Sequence, residues 1–261
     1  MTTVDKIEIE KFSKLAKDWW NPDGKFKPLH LFNPARIKFI KEKLVSHFHL
    51  NHNFEEPLKK LKILDIGCGA GRFAEIALEA GANVVALDYS NAVDACYKNL
   101  KHFPKLNVVQ GDVYALPFLN ELFPFVYSLG VLQHTPEVEK AFASLPPMVK
   151  QGGSLCTDFY WKRFRTLMHI KYLIRPLTKR IPQDKLFDIL KNITQNLLKL
   201  SQFVGSIPFF GKIVKRFIAV ADYTEVYPLN KDQLKEWALM DTFDMLAPTY
   251  DKPQNPKTIY K

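Results

Sequence analysis

The segment KILDIGCGAGRFAEIALEAGANVVALD (62–88) carries the clearest secondary-structure pattern of the chain. It opens with a short apolar run that ends in glycines. Phe73, Ile76, Ala77 and Ala80 then follow at helical spacing until Gly81. The apolar run at 83–88 has the pattern of a second buried strand. A strand, a helix and another strand in this order predict a βαβ unit, in which the two strands are parallel.

The same alternation continues beyond this unit. A Ser-Asn pair opens a helical pattern at 90–103, and further strands are predicted at 107–112, 125–134 and 154–160. The segment from Pro136 to the Gly152-Gly153 pair has the pattern of a helix. We therefore expect an α/β fold with an open parallel sheet of five strands. Ligands of such sheets bind outside the carboxyl ends of the strands.

Polar residues and glycines stand where these strands end. Gly67, Gly69 and Gly71 follow the first strand, and glycine lets the backbone turn tightly and approach a ligand closely. Asp88 ends the second strand and Asp112 the third. A structural turn alone would explain the glycines but not the two acids. The spacing G-x-G-x-G, with Arg72 where a third dinucleotide-binding glycine would stand, disfavours a dehydrogenase.

These motifs carry a family resemblance. LDIGCGAG, VVALDYS and VVQGD are similar to successive motifs of the class I S-adenosylmethionine (SAM)-dependent methyltransferases, whose core is a Rossmann-like parallel sheet. The resemblance covers residues 62–160 and implies that the 67–71 turn holds the methionine part of SAM. The cofactor-binding residues that it implies are Asp65 near the ammonium group, Gly67, Cys68, Gly69 and Gly71 in the turn, Asp88 on both ribose hydroxyls, Tyr89 on the adenine, Asp112 and Val113 around the adenine amino group, and Leu129 near the sulfonium.

The segment before the first strand carries a second resemblance. WWNPDGKFKPLHLFNPARIKFI (19–40) is similar to the N-terminal lid of the ubiquinone-biosynthesis O-methyltransferases. Its prolines and glycine predict irregular backbone, too broken for a helix. The resemblance implies that Trp19, Trp20 and Phe26 fold over the cofactor cleft and exclude water from it. The alternative is a packed extension with no part in catalysis.

The chain departs from that second family where the chemistry would lie. Metal-assisted members carry an E-x-x-E-H pattern after the fourth strand, and here the same place reads GVLQH (130–134). Gly130 and Gln133 replace the two carboxylates that a hard divalent cation prefers, so we expect no metal. His134 is then the candidate catalytic residue, as a general base toward a hydroxyl group. A histidine that only packs beside Pro136 is the alternative.

The segment after the fifth strand is strongly basic. Residues 161–220 contain 13 Lys and Arg against Asp184 and Asp188, a net charge of +11 in a chain of net charge +10. Apolar residues at 186, 187, 190, 193, 197 and 198 share one helical face. A basic amphipathic cap can rest on an anionic membrane surface or receive a lipophilic acceptor. A cap that merely packs on the sheet, with solvated lysines, is the alternative.

Composition limits the class of protein further. The chain has 261 residues with 47% hydrophobic ones, no apolar run of transmembrane length and no secretory signal at the N-terminus. Cys68, Cys96 and Cys156 lack metal-site spacing, which favours free thiols. We expect a cytoplasmic protein with peripheral contact to the inner membrane surface through 161–220. The sequence assigns no oligomeric state.

Four segments follow from these patterns. They are an N-terminal helical lid at 1–60, a SAM-binding Rossmann-like core at 61–160, a basic helical cap at 161–230 and a C-terminal segment at 231–261. The methyltransferase fold ends with a helix and an antiparallel strand pair, but only KTIYK follows Pro256. We therefore expect five parallel strands, a missing terminal hairpin and a truncated C-terminal segment.

The function that these patterns indicate is SAM-dependent O-methylation of a lipophilic or membrane-derived small molecule, similar to a quinone precursor. A sugar or natural product is the alternative acceptor. A membrane-binding module that has lost catalysis is the alternative of another class, but it leaves Asp65, Asp88 and Asp112 unexplained. A nucleic acid is disfavoured as the substrate because no N/D-P-P-Y/F motif ends the fourth strand.

Overall fold

The computed structural model describes residues 27–50, 55–162, 170–227, 229–248 and 250–255. They form two units. The first consists of the described residues up to Tyr160 together with Lys252–Gln254, and the second of those from Trp161 to Asp251 together with Asn255.

The first unit is built on one parallel sheet. Its elements are α1 (Lys27–His47), β1 (Lys62–Ile66), α2 (Arg72–Glu79), β2 (Asn83–Asp88), α3 (Ala92–Leu100), β3 (Leu106–Gln110), β4 (Phe123–Ser128), α4 (Val138–Ala143) and β5 (Val149–Thr157). The strand order is β3-β2-β1-β4-β5, and every neighbouring pair is parallel. The predicted five-stranded Rossmann-like fold is confirmed. Because the order reverses between β1 and β4, their carboxyl ends form the crevice in which such sheets bind ligands.

Apolar side chains cover both faces of this sheet. Helices α1, α2 and α3 pack on one face, where Ile63 is buried, and α4 packs on the other, where Leu64 and Ile66 are buried. Each fully buried Ile or Leu contributes about 1.5–3 kcal/mol of transfer free energy. The central strands are therefore held by packing on both faces, and they fix the positions at which the loops at their ends begin.

Helix α1 overturns the prediction of irregular backbone, from Lys27 onward. It runs unbroken through Pro28 and Pro34. Pro28 lies in the first turn, where the backbone N–H has no intrahelical partner, so its absence costs little. Pro34 lies on the exposed side, while Leu44 and Val45 are buried near the far end of the helix. The predicted lid residues Trp19, Trp20 and Phe26 lie outside the described residues.

Three predicted boundaries near β4 and β5 are also wrong. Strand β4 ends at Ser128 rather than 134, because Gly130 has a φ of +73° and the chain then turns into a short 3-10 helix, Leu132–His134. The helix predicted up to Gly152-Gly153 ends at Ala143, since Pro146 and Pro147 lack the N–H groups that would continue it. Strand β5 begins at Val149 and passes through the glycine pair.

The second unit is helical. It contains α5 (Ile170–Thr178), α6 (Gln183–Gly205), α7 (Gly211–Val214), a 3-10 turn at Lys215–Phe217 and α8 (Lys231–Leu246). The predicted apolar face of α6 buries Leu186, Leu190 and Leu198 in clusters shared with α8, whereas Ile193 stays exposed. Helix α8 therefore belongs to the same unit as α5 and α6, although the sequence set 231–261 apart.

The described residues contain no hairpin beside β5. Beyond the end of β5, the Gln254 amide donates a hydrogen bond to the Tyr160 carbonyl at 2.8 Å. Across the described ranges, no helix combines the length and the apolar character that crossing a bilayer would need.

Candidate active site

The turn after β1 is shaped by its glycines. Gly67, Gly69 and Gly71 have φ values of +78°, +52° and +96°, which L side chains rarely adopt. A Cβ on Gly67 would lie 2.3 Å from a methyl carbon of Val131. The Gly67 and Cys68 amides both donate to the Leu87 carbonyl, at 2.7 and 3.0 Å. The turn is therefore fixed against β2 and brings backbone close to the loop after β4.

Asp88 ties this turn to the end of β2. One carboxylate oxygen accepts the Gly69 amide at 2.9 Å, and the other accepts the Ser90 amide at 2.8 Å and the Ser90 hydroxyl at 2.7 Å. A carboxylate has about four lone-pair sites, so one is left for a ligand. For Asp88 to accept from both ribose hydroxyls, as predicted, the hydrogen bond from the Ser90 hydroxyl to this carboxylate would have to break.

Asp65 is the most perturbed acid of the site. It is 2% exposed, lies in register with Tyr127 of β4, and its Oδ2 has no hydrogen-bond partner among the described residues. Burial raises the pKa of Asp65 to about 7, against the opposing effect of the Tyr127 hydroxyl. A cation beside this carboxylate would satisfy the orphaned oxygen, and the ammonium group of SAM is such a cation.

The predicted adenine side lies at the ends of β2 and β3. Tyr89 is 39% exposed, and its carbonyl accepts the Gln110 side-chain amide at 3.1 Å. Asp112 holds the loop after β3 through a 2.9 Å bond from the Tyr114 amide. Val113 is partly buried against the α4 side of the sheet. These residues line neighbouring strand ends, as the sequence predicted, with an aromatic ring available for stacking.

Two predicted cofactor residues turn their side chains inward. A hydrogen bond with Cys96 and burial raise the pKa of the Cys68 thiol, so this side chain faces the core. Only the backbone of Cys68 can then meet a ligand. Leu129 is partly buried against the α1–α3 core.

The loop after β4 contains the residues that replace the family's carboxylates. A Cβ on Gly130 would meet nothing within 4 Å, so this position faces open space. Gln133 is instead 2% exposed, and its Oε1 has no described hydrogen-bond partner. The ring of His134 lies edge-on to Tyr160, with centroids 6.0 Å apart. The two replaced positions therefore face different surroundings.

Sequence reasoning missed a carboxylate that reaches this loop from β5. Asp158 Oδ1 accepts the Gly130 amide at 2.6 Å, and its Oδ2 lies 3.2 Å from Nη2 of Arg36 on α1. Both side chains are partly exposed. Asp158 thus joins three elements at the carboxyl end of the sheet. The available signal was an acid following the fifth strand, as Asp88 follows the second.

Within the described ranges, no cluster of three or more His, Cys, Asp or Glu side chains has a geometry that could hold a metal ion.

The residues present fit SAM by their chemistry. Its ammonium group matches the unpaired oxygen of buried Asp65, its ribose matches the remaining acceptor site of Asp88, and its adenine matches the exposed ring of Tyr89. The family resemblance, rather than the Cβ clash of Gly67 with Val131, is what assigns the methionine part to the glycine turn.

Known methyltransferases are similar to this chain in sequence. A family model described as a methyltransferase domain matches residues 64–157. The ubiquinone biosynthesis O-methyltransferase of Pelagibacter ubique is 32% identical over 218 residues, which cover 77% of this chain and 88% of that protein. The protein of the same name from Brucella anthropi is 37% identical over 158 residues, which cover 58% of this chain and 62% of its own length.

Solved structures were compared as well. The YcgJ protein of Bacillus subtilis superposes with a TM-score of 0.42 at 23% identity, covering 48% of this chain and 56% of that one. A SAM-dependent methyltransferase from Aquifex aeolicus superposes with a TM-score of 0.40 at 16% identity, covering 61% and 76%. The sequence relationship to the Pelagibacter protein extends over most of both chains. The chain therefore belongs to the class I SAM-dependent methyltransferases.

Proposed function

We propose that the chain transfers the methyl group of SAM to an oxygen atom of a lipophilic or membrane-derived small molecule, similar to a quinone precursor. The observation that carries the proposal is the alignment with a ubiquinone biosynthesis O-methyltransferase over 88% of that protein. The binding residues follow the sequence prediction: Asp65, Gly67, Cys68 through its backbone, Gly69, Gly71, Asp88, Tyr89, Asp112, Val113 and Leu129.

The acceptor would enter at the ends of β4 and β5. When bound, SAM supplies a methyl group on a positively charged sulfur. The acceptor hydroxyl must lose its proton as its oxygen takes that methyl group. His134 is the proposed general base, and Asp158 holds the Gly130 backbone in place beside it. Much of the acceleration would come from holding acceptor and cofactor in line.

An apolar cavity supports a lipophilic acceptor. It measures about 60 Å³ and lies between α1, α2 and the sheet. Ile40, Phe73, Tyr127 and Leu129 are among its lining residues, so the cavity reaches the end of β4. Its volume is too small for a whole acceptor but suits the start of a hydrocarbon chain. Contact of the basic segment 161–220 with a membrane surface is part of the same proposal.

Transfer of labelled methyl tests the acceptor class. The purified chain, supplied with labelled SAM, should label a product in a bacterial lipid extract and not in a soluble-metabolite extract, and it should do so in EDTA. His134→Ala should lower the rate by about 10²- to 10⁴-fold if His134 is the base. His102→Ala, an exposed histidine beyond α3, is the matched control.

The outcomes separate the parts of the proposal. Label in the soluble extract alone would favour a sugar or natural product over a lipophilic acceptor. Activity lost in EDTA and restored by magnesium would contradict the interpretation of Gly130 and Gln133. A loss at His134→Ala no larger than that at His102→Ala would leave His134 with a packing role.

A further inference from the structure

The end of α6 and the turn after it expose an unusual set of apolar side chains. We call residues 199–217 the α6–α7 tip. Phe209 is 94% exposed and Phe210 is 71% exposed. The other large apolar residues of the tip that stand in solvent are Leu200, Phe203, Ile207, Ile213, Val214 and Phe217. Large apolar side chains exposed together in one short segment are typical of an interaction site.

The backbone of the tip is strained where it exposes this surface. Phe209 has a φ of +65°, a conformation that is strained for a bulky residue. Gly211 packs so closely on the end of α6 that a Cβ there would lie 2.2 Å from the Val204 carbonyl oxygen. The Gly211 amide donates to the Ile207 carbonyl at 3.1 Å. A closed, strained turn thus presents an aromatic ring entirely to solvent.

The charge of the tip has one sign. Lys199, Lys212, Lys215 and Arg216 lie within it, and it contains no acidic residue. Lys215 pairs with Asp222 at 3.5 Å, while Lys199, Lys212 and Arg216 are exposed. Exposed aromatic and aliphatic side chains interleaved with cations match a surface that is apolar beneath and anionic at its boundary.

Outside the tip, α6 exposes two large apolar side chains, Ile189 and Ile193. Its Leu186, Leu190 and Leu198 are buried in clusters shared with α8, so they pack inside the second unit. Most of the exposed apolar surface of α6 therefore belongs to the tip.

We infer that the α6–α7 tip inserts Phe209 and Phe210 into the headgroup region of an anionic lipid bilayer, with Lys199, Lys212 and Arg216 on the lipid phosphates. The inference deepens the proposed function, and its purpose there rests on an acceptor that resides in the membrane. The binding itself requires no acceptor and no cofactor.

Vesicle co-sedimentation tests the inference directly. The full chain should sediment with vesicles of phosphatidylcholine and phosphatidylglycerol and much less with phosphatidylcholine alone. Added salt should weaken binding, because exposed charges are screened over about 8 Å at physiological ionic strength. Phe209→Ser with Phe210→Ser should weaken partitioning about tenfold or more, since two rings leave the apolar layer. Lys212→Gln with Arg216→Gln should weaken it roughly 30-fold on the anionic vesicles only.

A control variant shows whether a loss of binding is specific to the tip. Tyr97→Ser with Leu119→Ser removes two exposed apolar side chains from the first unit and should leave partitioning unchanged. Thermal unfolding of each variant checks that it is folded. If the double variant is unstable, the single Phe209→Ser variant replaces it, because position 209 is exposed and the substitution should not disturb packing.

Three results would overturn the inference. The first is equal recovery in the supernatant with both vesicle types. The second is an equal loss of partitioning in the control variant. The third is a dimer in sedimentation velocity that becomes a monomer on Phe209→Ser, which would assign the tip to a second copy of the chain. Because transfer of labelled methyl is read as a labelled product and not as sedimentation, failure here leaves that proposal standing.

Discussion

Asp65 makes the clearest prediction at the scale of single residues. Burial raises its pKa to about 7, so the folded chain holds a proton there that the unfolded chain releases near pH 4. Its contribution to the free energy of unfolding is therefore full below about pH 4 and is lost as the pH rises through 7. Asp65→Asn should gain stability relative to the wild type between pH 5 and pH 8, measured by urea unfolding without cofactor.

Asp94 supplies the control for that measurement. It lies exposed on α3, so Asp94→Asn should differ from the wild type by the same small amount at both pH values. A stability difference between Asp65→Asn and wild type that is also the same at pH 5 and pH 8 would contradict a raised pKa.

The site residues divide by how far each depends on tertiary structure. The places of the glycine turn and Asp88 were predictable because each directly follows or ends its own strand. Asp158 was not, since its meeting with Gly130 depends on β5 lying next to β4. The inward orientation of Cys68 was equally hidden, because it depends on Cys96 of α3.

The helices and strands also differ in how far they could be predicted without the tertiary structure. The alternation of apolar runs predicted β1, α2, β2, α3 and β3. For most of their termini, the predicted residue lies within two residues of the observed one. The prediction of irregular backbone was wrong from Lys27 onward, although a helical segment was expected at 1–60, because local proline preference was given more weight than the packing of Leu44 and Val45. It also overran β4, where the positive φ of Gly130 ends the strand.

The turn between β1 and α2 provides a test at this scale. Gly67 and Gly152 have nearly equal φ values, +78° and +73°, but a Cβ at Gly67 meets Val131 whereas one at Gly152 meets nothing within 4 Å. Gly67→Ala should therefore cost about 1–3 kcal/mol more stability than Gly152→Ala. Urea unfolding of both variants measures the difference. Equal losses would mean that the turn tolerates a side chain and is not closely packed against the loop after β4.

At the scale of the whole molecule, chemistry and charge fall in different units. The strand-end acids and the glycine turn lie in the first unit, while the segment 161–220, with a net charge of +11, lies in the second. The sequence predicted this division from composition. It could not predict that α8 buries Leu186, Leu190 and Leu198 of α6, so that the strained turn at the end of this helix carries much of the exposed apolar surface.

Isothermal titration of S-adenosylhomocysteine, the demethylated product, measures directly whether the strand ends of the first unit bind SAM. We expect one site per chain and a 10- to 100-fold weaker affinity for Asp88→Ala, since each charge-assisted hydrogen bond lost costs about 1.5–3 kcal/mol. Asp94→Ala should bind as the wild type does. No binding by the wild type, or unchanged affinity in Asp88→Ala, would contradict SAM binding at these strand ends.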